Sequence, residues 1–188
     1  MSEQAGVRAD DSYRGRPPTS HERRAGRPWD ASYLDGPAPW DTGRPQPAIV
    51  RLAGERAFAG EVLDAGCGTG ENALHLAALG LHVLGVDVAE TALSIAREKA
   101  AARGIGAQFA ACDALHLNRL GRQFQTVLDC GLFHSFEPVA RTPVSHEELM
   151  AAFTDTSDWS VASVSADRTE TRLSAQGAPA WLAKVERT

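Results

Sequence analysis

Three glycines at alternate positions, Gly66, Gly68 and Gly70, follow the acid Asp64, and a second acid, Asp87, stands 21 residues beyond Gly66. Glycine serves where the backbone takes positive φ, or where a ligand must approach with no Cβ in the way. Val62 and Leu63 before Asp64 read as a buried strand, and Ala73, Leu74, Leu76, Ala77 and Leu79 form a helical stripe over 71–79. A strand, a glycine turn and a helix N-terminus make a nucleotide site at the carboxyl edge of a parallel sheet, with backbone N–H groups aimed at the ligand. An acid at the end of the following strand would hold ribose hydroxyls. A dinucleotide fingerprint, G-x-G-x-x-G, would need glycine at position 71, where this chain has Glu71. A nicotinamide oxidoreductase is therefore the less favoured use of the site.

Such a site needs a sheet and crossover helices to hold it. Residues 81–86, 107–111 and 124–128 read as the next three strands, and 89–103 as a helix rich in Ala, Glu, Lys and Arg, stopped by Gly104. Residues 47–58 read as a short helix ahead of the first strand. Before it, Pro39-Trp40-Asp41-Thr42-Gly43-Arg44-Pro45-Gln46-Pro47 is too rich in proline for regular structure and forms a stiff loop. Large aromatics on such a loop serve either as packing anchors or as ligand walls. The residues alone leave both roles open for Trp40, and for Trp29 and Tyr33 as candidate lid residues.

The run D-x-G-x-G-x-G from Asp64 to Gly70, with Asp87 after it, resembles motif I and the ribose acid of class I S-adenosylmethionine-dependent methyltransferases. The P-W-D-T-G-R-P-Q-P segment resembles a loop of small-molecule methyltransferases of the thiol and thiopurine type. In those enzymes the tryptophan lies over the cofactor and the N-terminal segment closes over the site. The resemblance implies a Rossmann-like doubly wound α/β sheet, S-adenosylmethionine as cofactor and S-adenosylhomocysteine as product. The cofactor-binding residues it implies are Trp40, Asp64, Gly66, Cys67, Gly68, Gly70, Asn72, Asp87, Val88, Asp113, Ala114, Asp129 and Cys130. Within that set, Asp113 matches the position that recognises the adenine amino group. Asp129 borders the methionyl part, and Asn72 reaches the amino acid end. The run Asp129-Cys130-Gly131-Leu132-Phe133-His134 sits where the methyl group meets the acceptor, which makes His134 the candidate catalytic base. Each has a plainer alternative: Asn72 as a helix-start residue, Asp113 as a turn acid, His134 as a structural histidine.

After Phe136 the resemblance breaks. A full chain of this family would run a crossover helix and a fifth strand, on the order of 30 residues. Only residues 137–142 separate Phe136 from the next element, a helix through Phe153 announced by the capping box of Ser145 and Glu148. Residues 159–164 and 180–185 read as the closing antiparallel hairpin, with a polar loop over 166–177. With the fifth strand absent, the expectation is a six-stranded sheet of order 3-2-1-4-7-6, in which residues 180–185 pair directly with 124–128. The organisation expected is a flexible arm over 1–28, a cap over 29–60, a cofactor core over 61–136 and a C-terminal helix and hairpin over 143–188.

The remaining composition narrows the class. Of 188 residues 43% are hydrophobic and 23% charged, as in globular proteins, and the formal charge is −5. That charge, with no basic patch interleaved with aromatics, argues against a nucleic-acid partner. No apolar run approaches a membrane span, and no hydrophobic signal core follows the N-terminus. Three cysteines, Cys67, Cys112 and Cys130, have no metal-ligand spacing, so no metal is expected and a reduced cytoplasm is the natural setting. The expectation is a monomeric enzyme methylating a small, fairly apolar acceptor at O, S or N. The competing class is a cofactor-binding remnant without turnover, because of the missing strand.

Overall fold

A computed structural model describes residues 26–135, 144–154 and 158–187, together with Tyr13, Pro17, Pro18, Glu22 and Arg23. Most of the expected arm over 1–28, and the whole connection over 137–142, lie outside the described residues. Four parallel strands form the main sheet: β1 (Glu61–Ala65), β2 (His82–Asp87), β3 (Gln108–Ala111) and β4 (Thr126–Asp129), in the order β3-β2-β1-β4. Helix α1 (Pro47–Gly54) precedes β1, α2 (Glu71–Ala78) joins β1 to β2, and α3 (Glu90–Arg103) joins β2 to β3. A 3₁₀ segment, Ala114–Leu120, takes the place of a helix between β3 and β4.

Alternation along β1 and β2 splits the core into two layers. Val62, Val83 and Leu128 point to one face and pack on Ala73 and Leu76 of α2 and Ile49 of α1. Leu63, Leu84 and Val86 point to the other, where Leu117 and Leu120 of the 3₁₀ segment and Phe124 cover them. Full burial of such side chains stabilises by about 1.5–3 kcal/mol each, so a seven-residue segment is enough to close the second face under β1 and β2. Gly104, at φ 63°, ends α3 as expected, whereas α1 stops at Gly54 rather than running to residue 58. Arg56 there turns out at φ 58° and breaks the helix.

The expected six-stranded sheet is not what forms. The C-terminal strands β5 (Trp159–Thr171) and β6 (Ser174–Arg187) pair with each other in a separate two-stranded sheet, and neither pairs with β4. The expected loop over 166–177 is wrong for the same reason. Those residues are strand on either side of a turn at Arg172 and Leu173, paired from Ala166↔Trp181 to Thr171↔Ser174. Their polar character reflects what they face: Asp167 pairs with Arg51 of α1, and Glu170 pairs with Arg44. The backbone N–H of Arg172 donates to the Pro39 carbonyl at 2.7 Å. The hairpin is thus docked on the proline-rich loop and α1, and not on the sheet edge. Helix α4 (His146–Thr154) precedes it and starts with the expected capping box. The Glu148 N–H donates to Ser145 Oγ at 3.1 Å, and the Ser145 N–H donates to Glu148 Oε2 at 2.7 Å.

Candidate functional site

The glycine turn lies at the carboxyl end of β1, as the spacing predicts. Gly66, Gly68 and Gly70 all take positive φ, at 72°, 53° and 82°. All three are also crowded, Gly70 most of all, and a Cβ on Gly66 would sit 3.0 Å from the Leu132 side chain. A Cβ on Gly70 would sit 2.8 Å from the Phe109 ring and 2.9 Å from the Ala96 methyl, and one on Gly68 would sit 3.2 Å from Tyr33 Oη. The N–H groups of Gly66 and Cys67 both donate to the Val86 carbonyl, at 2.8 and 2.9 Å, which ties the turn to β2.

Asp87, ending β2, is oriented by two backbone donors. The Gly68 N–H reaches its Oδ2 at 2.9 Å and the Ala89 N–H its Oδ1 at 2.9 Å. The acid therefore stands directly against the turn, with Val88 beside it in sequence. Asp64 is only 1% exposed, and its Oδ2 has no hydrogen-bond partner among the described residues. Burial, and secondly the charge of Asp129, push its carboxyl up to about 7, against a backbone hydrogen bond from Ala73. A buried acceptor without a partner costs about 1–3 kcal/mol. That oxygen is free to accept a hydrogen bond.

Cys130, just past β4, shares that floor. Burial and the Asp64 charge push its thiol up to about 12, opposed by a hydrogen bond with the Asn72 side chain. Asn72 also accepts the Gln46 N–H through Oδ1 at 2.9 Å, so it links α2, the loop before α1 and the end of β4. Burial together with the Asp64 and Asp87 charges raises the Cys67 thiol, so neither cysteine is an activated nucleophile. Asp129 accepts from the Leu132 and Phe133 N–H groups at 2.9 and 3.3 Å and so shapes the turn Phe133–Ser135. His134 lies in that turn, and its side chain falls outside the described part. Asp113 caps the 3₁₀ segment, accepting from the Leu115 N–H at 3.0 Å, with His116 Nδ1 at 3.3 Å from its other oxygen; Ala114 starts that segment.

The aromatics gather over the turn. Trp40 Nε1 donates to Tyr33 Oη at 3.0 Å, and the Trp29 and Trp40 rings meet edge to face with centroids 5.4 Å apart. Tyr33 is the buried member at 7% exposure, whereas Trp40 is 40% exposed. Burial and the Asp87 charge push the Tyr33 phenol well above its ordinary value.

Several residues that hold this arrangement have no site role in the sequence reading. Asp30 accepts both the N–H and the hydroxyl of Thr91 at the start of α3, at 2.7 and 3.0 Å, which fastens the aromatic segment Trp29–Tyr33 there. Thr69, inside the glycine turn, donates to Asp41 Oδ2 at 2.9 Å and accepts from Lys99 Nζ at 2.8 Å. Glu71, 9% exposed, is gripped by the Arg103 fork at 2.8 and 2.9 Å and by Lys99 at 2.9 Å. Its carboxyl feels burial pushing it up, yet those partners hold it below its ordinary value. That network explains why the position where a dinucleotide site needs glycine holds an acid here.

The fold and the turn define a Rossmann-like α/β nucleotide-binding protein, and comparison with known proteins narrows the class. A family model described as a methyltransferase domain matches residues 62–149. A 2-heptyl-1-hydroxyquinolin-4(1H)-one methyltransferase of Mycobacteroides abscessus is 38% identical over 144 residues, covering 76% of this chain and 58% of that protein. A probable thiol methyltransferase of Arabidopsis thaliana is 30% identical over 115 residues, covering 60% of this chain and 51% of that one. A solved structure from work on conversion of a disulfide bond into a thioacetal group during echinomycin biosynthesis superposes with a TM-score of 0.69. It is 33% identical, over 79% of this chain and 84% of that one. The chain belongs to the class I S-adenosylmethionine-dependent methyltransferase family. It spans a little over half the length of the curated relatives it matches, 58% and 51% of the two named. No helix among the described residues is long and apolar enough to cross a membrane.

Proposed function

We propose that this chain transfers the methyl group of S-adenosylmethionine to a small, fairly apolar acceptor with an O, S or N nucleophile. The observation that carries the reading is Asp87 locked against the N–H groups of Gly68 and Ala89 beside a buried, unpartnered Asp64 oxygen. One acid suits ribose hydroxyls, and the other suits the ammonium end of an amino acid. The relatives named for a hydroxyquinolone and a thiol support a small acceptor.

The cofactor supplies an electrophilic sulfonium methyl group, and the protein supplies binding and alignment. In this reading Asp87 and Val88 hold the ribose, Gly66, Cys67, Gly68 and Gly70 give the backbone of the cradle, and Asp113 and Ala114 meet the adenine. Asp64, Asn72, Asp129 and Cys130 surround the methionyl end, and Trp40 with Tyr33 walls the site from solvent. His134, at the end of the central strands, accepts the acceptor's proton where the nucleophile is not already ionised, worth about 10²–10⁴-fold. Alignment in a dry pocket is the larger contribution, about 7–11 kcal/mol of barrier. The protein works as a monomer in the cytoplasm on this reading, with no nucleic-acid partner.

Calorimetric titration with S-adenosylhomocysteine tests it. Asp87→Ala removes charge-assisted bonds of about 1.5–3 kcal/mol each, so binding should fall by at least tenfold. Unchanged affinity in that variant overturns the site. A second reading, binding without turnover, is favoured by β4 standing at the edge of the sheet with the hairpin docked elsewhere. Tight binding with no methyl transfer to a panel of thiols and phenols would select it.

A further inference from the structure

The hairpin is docked through an uncommon contact. The Gln46 side chain behaves as a strand backbone toward Glu170: its Nε2 donates to the Glu170 carbonyl at 3.1 Å and its Oε1 accepts the Glu170 N–H at 2.7 Å. Gln46 is buried. Its own N–H donates to Asn72 Oδ1, and the Asn72 side chain bonds Cys130 beyond β4. A second path runs alongside. Arg172 donates from its backbone N–H to the Pro39 carbonyl and from its side chain to the Asp41 carbonyl, and the Asp41 carboxylate accepts from Thr69 in the glycine turn. Both paths begin at the hairpin turn and end on the walls of the cofactor site. Neither passes through the sheet.

We propose that Gln46 is a positioning residue through which the hairpin holds the loop bearing Trp40 against the glycine turn, so that cofactor binding and hairpin order are coupled. The inference rests on the cofactor reading above. A buried amide with both its groups paired has one preferred arrangement, because any other leaves polar atoms unpaired. Losing that arrangement lets the loop swing from Asn72 and Thr69, and the cofactor must then supply the order that the hairpin supplied before. Coupling of this kind is reciprocal: if the hairpin aids the cofactor, the cofactor steadies the hairpin by the same factor. The four-stranded sheet makes the device intelligible. A hairpin that does not join the sheet is marginal on its own, and here it gains its footing from the cap.

The test uses the full chain and S-adenosylhomocysteine as probe, reading amide hydrogen exchange in the hairpin turn beside calorimetric affinity. In the parent chain, saturating ligand should slow exchange of the Glu170 and Arg172 amides about fivefold or more. In Gln46→Leu, similar in size but unable to pair, the slowing should vanish. Affinity should fall about tenfold, with the unliganded melting temperature lowered only by the few degrees that two lost hydrogen bonds imply, and affinity should be the larger effect. If the parent binds ligand and the hairpin amides do not respond, the coupling is overturned while the cofactor reading stands. If the parent does not bind ligand at all, the cofactor reading fails and takes the coupling with it. Should Gln46→Leu lose affinity together with far more melting temperature than that, the residue is a packing element and the proposal is overturned. Should it fail to fold, the parent's exchange response decides alone.

Discussion

The two flanks of β1 are built to different standards. On the β2 and β3 side the site is cross-braced: Asp87 is bonded to the turn, Glu71 to α3, Asp30 to Thr91, and Phe109 fills the space that Gly70 leaves open. On the other side β4 is the last strand among the described residues, and Val127 in its middle is 57% exposed. The flank with the glycine turn consists of residues that fix one another, whereas the β4 flank has a bare edge, with the hairpin anchored on the proline-rich loop and α1. Under the function proposed above, binding and turnover can therefore be separated, since the residues assigned to the cofactor, Asp129 aside, lie outside the edge strand β4.

The largest expected effect attacks the braced flank. Gly70→Ala puts a methyl group into the Phe109 ring at φ 82°. Left-handed strain of about 1–2 kcal/mol adds to overpacking of about 1–3 kcal/mol. Urea unfolding should show a loss of about 2–5 kcal/mol; a near-neutral result would mean that the flank is not tightly packed.

Next comes Asp64, whose carboxyl is raised from 3.8 to about 7 by burial and the Asp129 charge. The folded state then binds its proton more tightly than the unfolded state does. Its contribution is fully present below about pH 4 and is lost as pH rises to about 7, with a slope of at most about 1.4 kcal/mol per pH unit. Asp64→Asn should flatten that part of the stability profile and weaken cofactor binding. A profile identical to the parent's would show the acid to be solvated.

A smaller effect is expected at Glu71, where the sign is opposite. Its carboxyl is held below 4.5 by Arg103 and Lys99 against its burial, so its contribution is present above that pH and lost as pH falls through its folded value. Glu71→Gln should cost about 1–2 kcal/mol at pH 7 and nothing in strong acid, measured by unfolding at both.

The smallest belongs to the open flank. Val127→Lys should change stability by no more than about 0.5 kcal/mol while reducing self-association, since a lysine guards a strand edge. A loss above 1 kcal/mol, on the order of a buried-site effect, would show that Val127 is covered and would remove the contrast.

What was legible in the chain is what neighbours in sequence decide. The positive φ of Gly66, Gly68 and Gly70, the stop at Gly104, the Ser145 and Glu148 box and the strand-helix alternation up to β4 each depend on groups a few residues apart. Hydrogen-bond geometry and periodicity write these into local patterns. Both roles that the residues leave open to Trp40 fit its surroundings, because it bonds Tyr33 and keeps a solvent-facing side. Tertiary structure alone decided the rest: the pairing of Glu71 with Arg103 across 32 positions, of Gln46 with Glu170 across 124, and the choice of the cap over β4 as the hairpin's seat. The polar run over 166–177 read as a loop because its charges had no visible partners. Those partners lie more than a hundred residues away, and only folding brings them together.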